Sequence, residues 1–250
     1  MKSIEALFTP ADFATLQQRD LSNTMCVVFD VLRATSSMIT ALANGAAGVV
    51  PVEEIAEAIS YRQTHPDVLL AGERQGVRIR SGSTTFDLGN SPREFVAAAV
   101  SGRTVVMTTT NGTRALRACA KARTVLAASF LNLAATAEVI LQERPGQLLL
   151  VCSGTYEEAA LEDVLGAGAL SDLVWDQYAD GAVADSALIA RKLWLQEKSD
   201  LLGALSESRN GRRLLAMPEL RDDVSYCLQC DRFPLIAEQG RDGMVRKRRQ

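Results

Sequence analysis

The sequence predicts an α/β fold: a mostly parallel or mixed sheet covered by helices on both faces, a three-layer α/β/α arrangement, with a helical C-terminal third. Three observations predict it. From Met25 to Ser153 short apolar, β-branched runs alternate with alanine-rich helical patterns, the signature of crossover units around a parallel sheet. Those runs are continuously apolar, as expected of strands buried on both faces. After Ser153 the pattern changes to long helical stretches. No fixed-period repeat, low-complexity segment or Pro/Gly-rich linker interrupts the chain, so a single domain over 1–250 is expected, and a two-lobe subdivision near 150 stays open.

The elements follow in order. "MCVVFD" reads as a strand, and "TSSMITALANG" as a helix with Gly45 as its stop. "AGVVPV" and "DVLLAGE" are strands on either side of the helical "EEIAEAISYRQ". Then come strand "TVVMTTT", helix "TRALRACA", strand "TVLAAS", helix "NLAATAEVILQE" and strand "QLLLVCS". "ALEDVLGAGALSDLVWDQ", "DSALIARKLWLQ" and the stretch 199–217 are helical, while "RQGVRIRSGSTT" is a polar interruption long enough for an active-site loop.

Bulk composition excludes several functions. With 47% hydrophobic and 23% charged residues the chain suits a globular, water-soluble protein, and no run reaches the roughly 18 apolar residues of a bilayer span. A net charge of −3 gives no footprint for nucleic acid apart from "RKRR" near the C-terminus, read as a solvated tail. Five scattered cysteines and the absence of a signal-peptide core fit reduced thiols in the cytoplasm. "CLQC" lacks the further ligands of a zinc site. A homodimer is compatible with the apolar C-terminal helix faces, which equally suit internal packing.

In open parallel sheets ligands gather beyond the carboxyl ends of the strands. The polar residues there are Asp30 with Arg33, Glu73 with Arg74, Asn111 with Thr113, and Ser153 to Thr155. This mixture of carboxylates, arginines and small loops suits a metal-plus-anion site. "TTTNGTRA" turns through Asn111 and Gly112 into a helix beginning near Thr113 and Arg114, whose first N–H groups could receive a phosphate; a plain helix cap reads equally well. "FDVLRATSS" repeats the logic, with Asp30 able to ligate a divalent metal and Arg33 to hold phosphate, or else to cap and to face solvent. "FDLGNSPREF" adds Asn90 and Arg93. Glu162 and Asp163 are adjacent acids inside an apolar helical pattern, costly to bury without a cation.

Absences narrow the chemistry further. The one histidine, His65, reads as a turn residue, which removes paired-histidine mechanisms and His-rich metal sites. There is no Walker A loop, no dinucleotide fingerprint, no Gly-x-Ser-x-Gly elbow, no Asp-x-Asp pair and no cysteine with an arginine six positions on. Carboxylate-bound Mg²⁺, arginines and backbone amides remain.

"VVFDVLRATSSMITALANGA", "AGERQG", "FDLGNSPREF", "TTTNGTRAL", "CSGT…ALEDVLGAGAL" and "DDVSYCLQCD", in this order from Met25 to Asp231, resemble the 2-phosphosulfolactate phosphatase family. The resemblance implies a Mg²⁺-dependent phosphatase of coenzyme M biosynthesis that hydrolyses a small anionic phosphorylated substrate. It carries Asp30, Glu73, Glu162 and Asp163 into metal binding, with Asp30, Arg33 and Asp163 in catalysis. Asn90, Arg93, Asn111, Gly112, Thr113 and Arg114 fall to substrate binding. Whether an aspartate or metal-bound water attacks phosphorus stays open. "VRIRSGSTT" is longer and more polar than the family's usual link, which bears on substrate identity. The runner-up is a non-catalytic anion-binding or regulatory protein.

Overall fold

The computed structural model describes residues 1–16, 18–82 and 84–248. Ser83 of the polar interruption and Arg249 of the basic tail lie outside them. The strands are β1 (Ser3–Leu7), β2 (Thr24–Phe29), β3 (Gly48–Pro51), β4 (Leu69–Arg74), β5 (Val77–Arg78), β6 (Arg80–Ser81), β7 (Thr84–Thr85), β8 (Thr104–Thr108), β9 (Thr124–Ala128), β10 (Gln147–Cys152), β11 (Ala182–Val183), β12 (Ala237–Gln239) and β13 (Val245–Lys247). The six strands expected from apolar runs are β2, β3, β4, β8, β9 and β10.

All strands except the β6–β7 hairpin join one mixed sheet in the order β11-β1-β10-β2-β9-β12-β13-β3-β8-β4-β5. The block from β11 to β9 pairs in parallel, and so does the block β3-β8-β4. Between them stands the hairpin β12–β13, antiparallel to β9 on one side and to β3 on the other. Three successive antiparallel pairings make the two blocks run in opposite senses along the ladder.

In a flat sheet their carboxyl ends would lie at opposite edges, yet Asn111, after β8, donates from Nδ2 to the carbonyl of Ser153, after β10, at 3.1 Å. The sheet therefore coils, as right-handed strand twist allows. Inside the coil, helices Ala34–Ala43 and Gly112–Ala118 share one core with both blocks: Cys26, Val28 and Val151 from one, Val49, Ala71 and Met107 from the other.

Helices cover both faces, as expected. Along β2 the period-two alternation sends Cys26 and Val28 to that inner core, and Met25, Val27 and Phe29 to a second core under helices Leu133–Glu143, Leu161–Leu173 and Asp185–Glu197. The C-terminal third is mainly helical but also supplies β11, β12 and β13.

Part of the basic tail is folded: Arg246 and Lys247 belong to β13 and are exposed, Arg246 pairs with Asp242, and Arg248 pairs with Glu143 at 2.6 Å. His65 caps the Ile55–Thr64 helix and stacks on Tyr61. The five cysteines are free thiols, four of them buried. No helix among the described residues is long and apolar enough to cross a membrane.

Candidate functional site

Where the carboxyl ends of the two blocks meet, a cavity is lined by Asp30, Arg33, Glu73, Asn90, Thr109, Thr110 and Asn111, by the loop Gly154–Tyr156, and by Asn210 and Arg213. Asp30 follows β2 directly. Its Oδ1 accepts from the Ala34 amide at 2.9 Å, and its backbone exchanges hydrogen bonds with the Thr35 hydroxyl, so the aspartate caps the helix and faces the cavity at once. Gly112 is required beside it, because a Cβ there would stand 2.4 Å from Asp30 Oδ2 and 2.7 Å from Ala34 Cβ.

The other acids are fixed by donors. Glu73 takes the Thr110 amide and hydroxyl on Oε1, both at 3.0 Å, and the Gly76 amide on Oε2 at 2.6 Å. Asp163 takes the Val31 amide at 2.8 Å on one oxygen, and the Ser153 hydroxyl and Gly154 amide at 3.1 Å on the other. Glu162 accepts from Asn210 Nδ2 on Oε1, while its buried Oε2 has no partner among the described residues. Asp163 and Glu162 thus form the floor behind the lining.

Burial and mutual repulsion govern their protonation. Burial pushes Asp30 up to about 6, opposed by the Ala34 amide and reinforced by the Glu73 charge. Burial likewise raises Glu162 against the hydrogen bond from Asn210, and raises Asp163 well above the carboxylate range with Asp30 and Glu162 adding repulsion. At Glu162 the nearby Arg213 charge also opposes the rise.

The donor set fits Mg²⁺. Asn90, Asn111 and Asn210, all at the cavity, each hold a buried side-chain oxygen with no hydrogen-bond partner among the described residues. For Asn111 the orientation is determined, because its nitrogen donates to the carbonyls of Ser153 and Tyr156. Among the described residues no group of three or more His, Cys, Asp or Glu is arranged to hold a metal ion by itself. Mg²⁺ commonly takes only one or two carboxylates and completes its shell with water and substrate phosphate.

The expected site residues divide. Asp30, Arg33, Glu73, Asn90 and Asn111 line the cavity, and Gly112, Glu162 and Asp163 stand directly behind. Thr113 is fully buried and turned inward, its hydroxyl donating to the Thr109 carbonyl at 3.2 Å. Arg114 points elsewhere: it lies 3.3 Å from Glu157 and lines a separate surface groove. Arg93 does not line the cavity either, and its donors end on Asp223, Asp222 and the Glu219 carbonyl.

Sequence reasoning missed three residues. Asp223, wholly buried, receives Arg33 at 2.6 Å, the Ser91 hydroxyl at 2.7 Å and Arg93 at 2.9 Å, tying three motifs together. Asn210 and Arg213 reach the cavity from the Arg209–Leu215 helix. "DDVSYC" offered a signal in its paired acids; "RNGRR" offered none, since basic residues on a short helix usually face solvent.

Comparison with known proteins yields a consistent match. A family model described as 2-phosphosulpholactate phosphatase matches residues 12–242. The chain is 39% identical over 222 residues to a protein of Caldicellulosiruptor saccharolyticus named "Probable 2-phosphosulfolactate phosphatase", covering 87% of this chain and 90% of that one. Proteins of the same name from Pseudothermotoga lettingae and Nostoc punctiforme are 40% and 33% identical, over 93% and 94% of this chain and 94% and 96% of theirs.

Proposed function

The chain belongs to the 2-phosphosulfolactate phosphatase family, and from that premise we propose that it hydrolyses the phosphate monoester of 2-phosphosulfolactate, or of a closely related small hydroxy acid, in a Mg²⁺-dependent reaction. The observation that carries this reading is the convergence of Asp30, Glu73, Asn111 and the Ser153–Gly154 loop, from four strand ends, on one cavity. The competing expectation, an anion-binding protein without catalysis, needs arginines and amides but gives no role to a buried cluster of acids.

Asp30 would hold the metal, joined by the free amide oxygen of Asn111, with the Glu162 carboxylate behind the lining adding negative charge. When bound, Mg²⁺ would offset the charge of the acids and of the phosphoryl oxygens. The chain's own residues do the rest. Asp30 accepts the proton of the attacking water as the new P–O bond forms, and passes it to the leaving ester oxygen as that P–O bond breaks, releasing the hydroxy acid and phosphate. Glu73 holds the Thr110 and Gly76 loops in register, and Arg33 fixes the Gly76 carbonyl at 3.0 Å, so the cavity wall is set before substrate arrives.

The test is phosphate release from 2-phosphosulfolactate and a panel of phosphorylated hydroxy acids, with and without Mg²⁺. Release that depends on metal and falls by about 10²-fold or more in Asp30→Asn, with the fold retained, is expected. No release from any ester in the presence of Mg²⁺ defeats the reading.

A further inference from the structure

The arginines expected to receive the substrate are already engaged. Arg33 is buried against Asp223 at 2.6 Å, Arg93 is shared among Asp222, Asp223 and a carbonyl, and Arg114 stands by Glu157 outside the cavity. Arg213 differs from all three. It lines the cavity, it forms no hydrogen bond or ion pair within 4.0 Å among the described residues, and its Nε is buried with no acceptor. A buried donor without an acceptor is rare in native proteins and marks a place that a ligand completes.

Its position is set, not adventitious. One turn earlier on the same helix, Asn210 donates from Nδ2 to Glu162 and to the Thr155 hydroxyl, each at 2.5 Å. Ser208 caps that helix by accepting from the Gly211 amide at 3.0 Å, and Gly211 packs so close to the Leu205 carbonyl that no side chain fits. The helix is therefore tied to the acidic floor, which sets the Arg213 backbone beside the cavity.

Charge decides what it receives. Asp30 and Glu73 line the cavity with Glu162 and Asp163 behind, and the positive charge of Arg33 is answered by Asp223. A phosphoryl group beside Asp30 shares the cation that the acids hold. For an acid group elsewhere on the same substrate, Arg213 is the lining cation that no carboxylate of the described residues pairs with within 4.0 Å. We propose that Arg213 binds the non-transferred acid of the substrate, a carboxylate or sulfonate, through its guanidinium, and so sets the preference for acid-bearing phosphate esters. The fork geometry suits two oxygens of one acid group, which a lysine ammonium cannot match. This inference rests on the phosphatase reading.

The experiment compares the wild type with Arg213→Met and Arg213→Lys on 2-phosphosulfolactate and on phenyl phosphate, which carries no second acid. Arg213→Met should raise KM for 2-phosphosulfolactate about tenfold or more with a much smaller change in kcat, and should lower the ratio of kcat/KM for 2-phosphosulfolactate over phenyl phosphate by a similar factor. Arg213→Lys should recover only part of that loss, and it serves alone if the methionine variant does not fold. Calorimetric titration with sulfolactate, which lacks the phosphate, should show binding to the wild type that Arg213→Met abolishes. A ratio within about twofold of wild type, or an equal loss of kcat on both esters, overturns the proposal. If the wild type turns over no ester, the phosphatase reading fails, and the sulfolactate titration still decides the role of Arg213.

Discussion

Asp223 never reaches the cavity, yet Arg33, Ser91 and Arg93 all end on it. Removing its charge would leave the Arg33 guanidinium buried and unanswered, so Asp223→Asn should destabilise the protein by about 3–5 kcal/mol, measured by urea unfolding, because a broken buried pair costs far more than an exposed one. Wild-type stability in that variant would show that Arg33 finds another partner. The Asp30 carboxyl supplies a second residue-scale prediction. Its value in the folded chain, about 6, lies above the ordinary 3.8, chiefly through burial. The folded chain thus holds this proton longer than the unfolded one. The resulting stability is fully present below about pH 4 and is lost as pH rises through about 6, a loss on the order of 3 kcal/mol. In EDTA, Asp30→Asn should melt above the wild type at neutral pH, and the gap should close near pH 4; a constant gap contradicts the assignment. At this scale the acids were legible in the sequence, since Glu162 and Asp163 interrupt an apolar helical pattern. Arg213 and Asp223 were not, because nothing local distinguishes a charge that faces a cavity from one that faces solvent.

The strand–turn–helix unit from Thr104 to Ala118 shows what an element-scale reading could reach. Its strand ends at Thr108, Asn111 caps the helix, and the loop presents Thr109, Thr110 and Asn111 to the cavity. Two of the amides in this turn are already engaged within the chain. The Thr110 amide is taken by Glu73, and Thr109 and Thr113 bond each other across the turn. The position most sensitive to change is Gly112. A methyl group there must displace Asp30 or the Ala34 helix, so Gly112→Ala should cost about 1–3 kcal/mol in thermal unfolding and about 10²-fold in kcat, a misplacement effect. Full activity in that variant would mean that Asp30 has room to shift without consequence. Elements with long apolar runs were readable, while β1, β11, β12 and β13 were not. β1, β12 and β13 are five residues or shorter and mix polar with apolar positions, and β11 is only two residues long, so their pairing depends on partners far away in sequence.

For the whole molecule, the sequence announced a layered α/β fold but not that its sheet is two parallel blocks of opposite sense. That arrangement depends on β12–β13, which no crossover pattern predicts. A chain ending before Ala237 lacks the strands that, among the described residues, join β9 to β3. It should lose the single cooperative melting transition and its phosphatase activity, as checked by circular dichroism and phosphate release; a cooperative, active truncation would show that the inner helices alone hold the blocks together. The same hairpin imposes a schedule on biosynthesis. Asp30 and Glu73 leave the ribosome long before the strands that bring their blocks into one sheet. A nascent chain can complete each block in turn, whereas the continuous sheet around its acidic cavity is finished only once β12 and β13 have emerged.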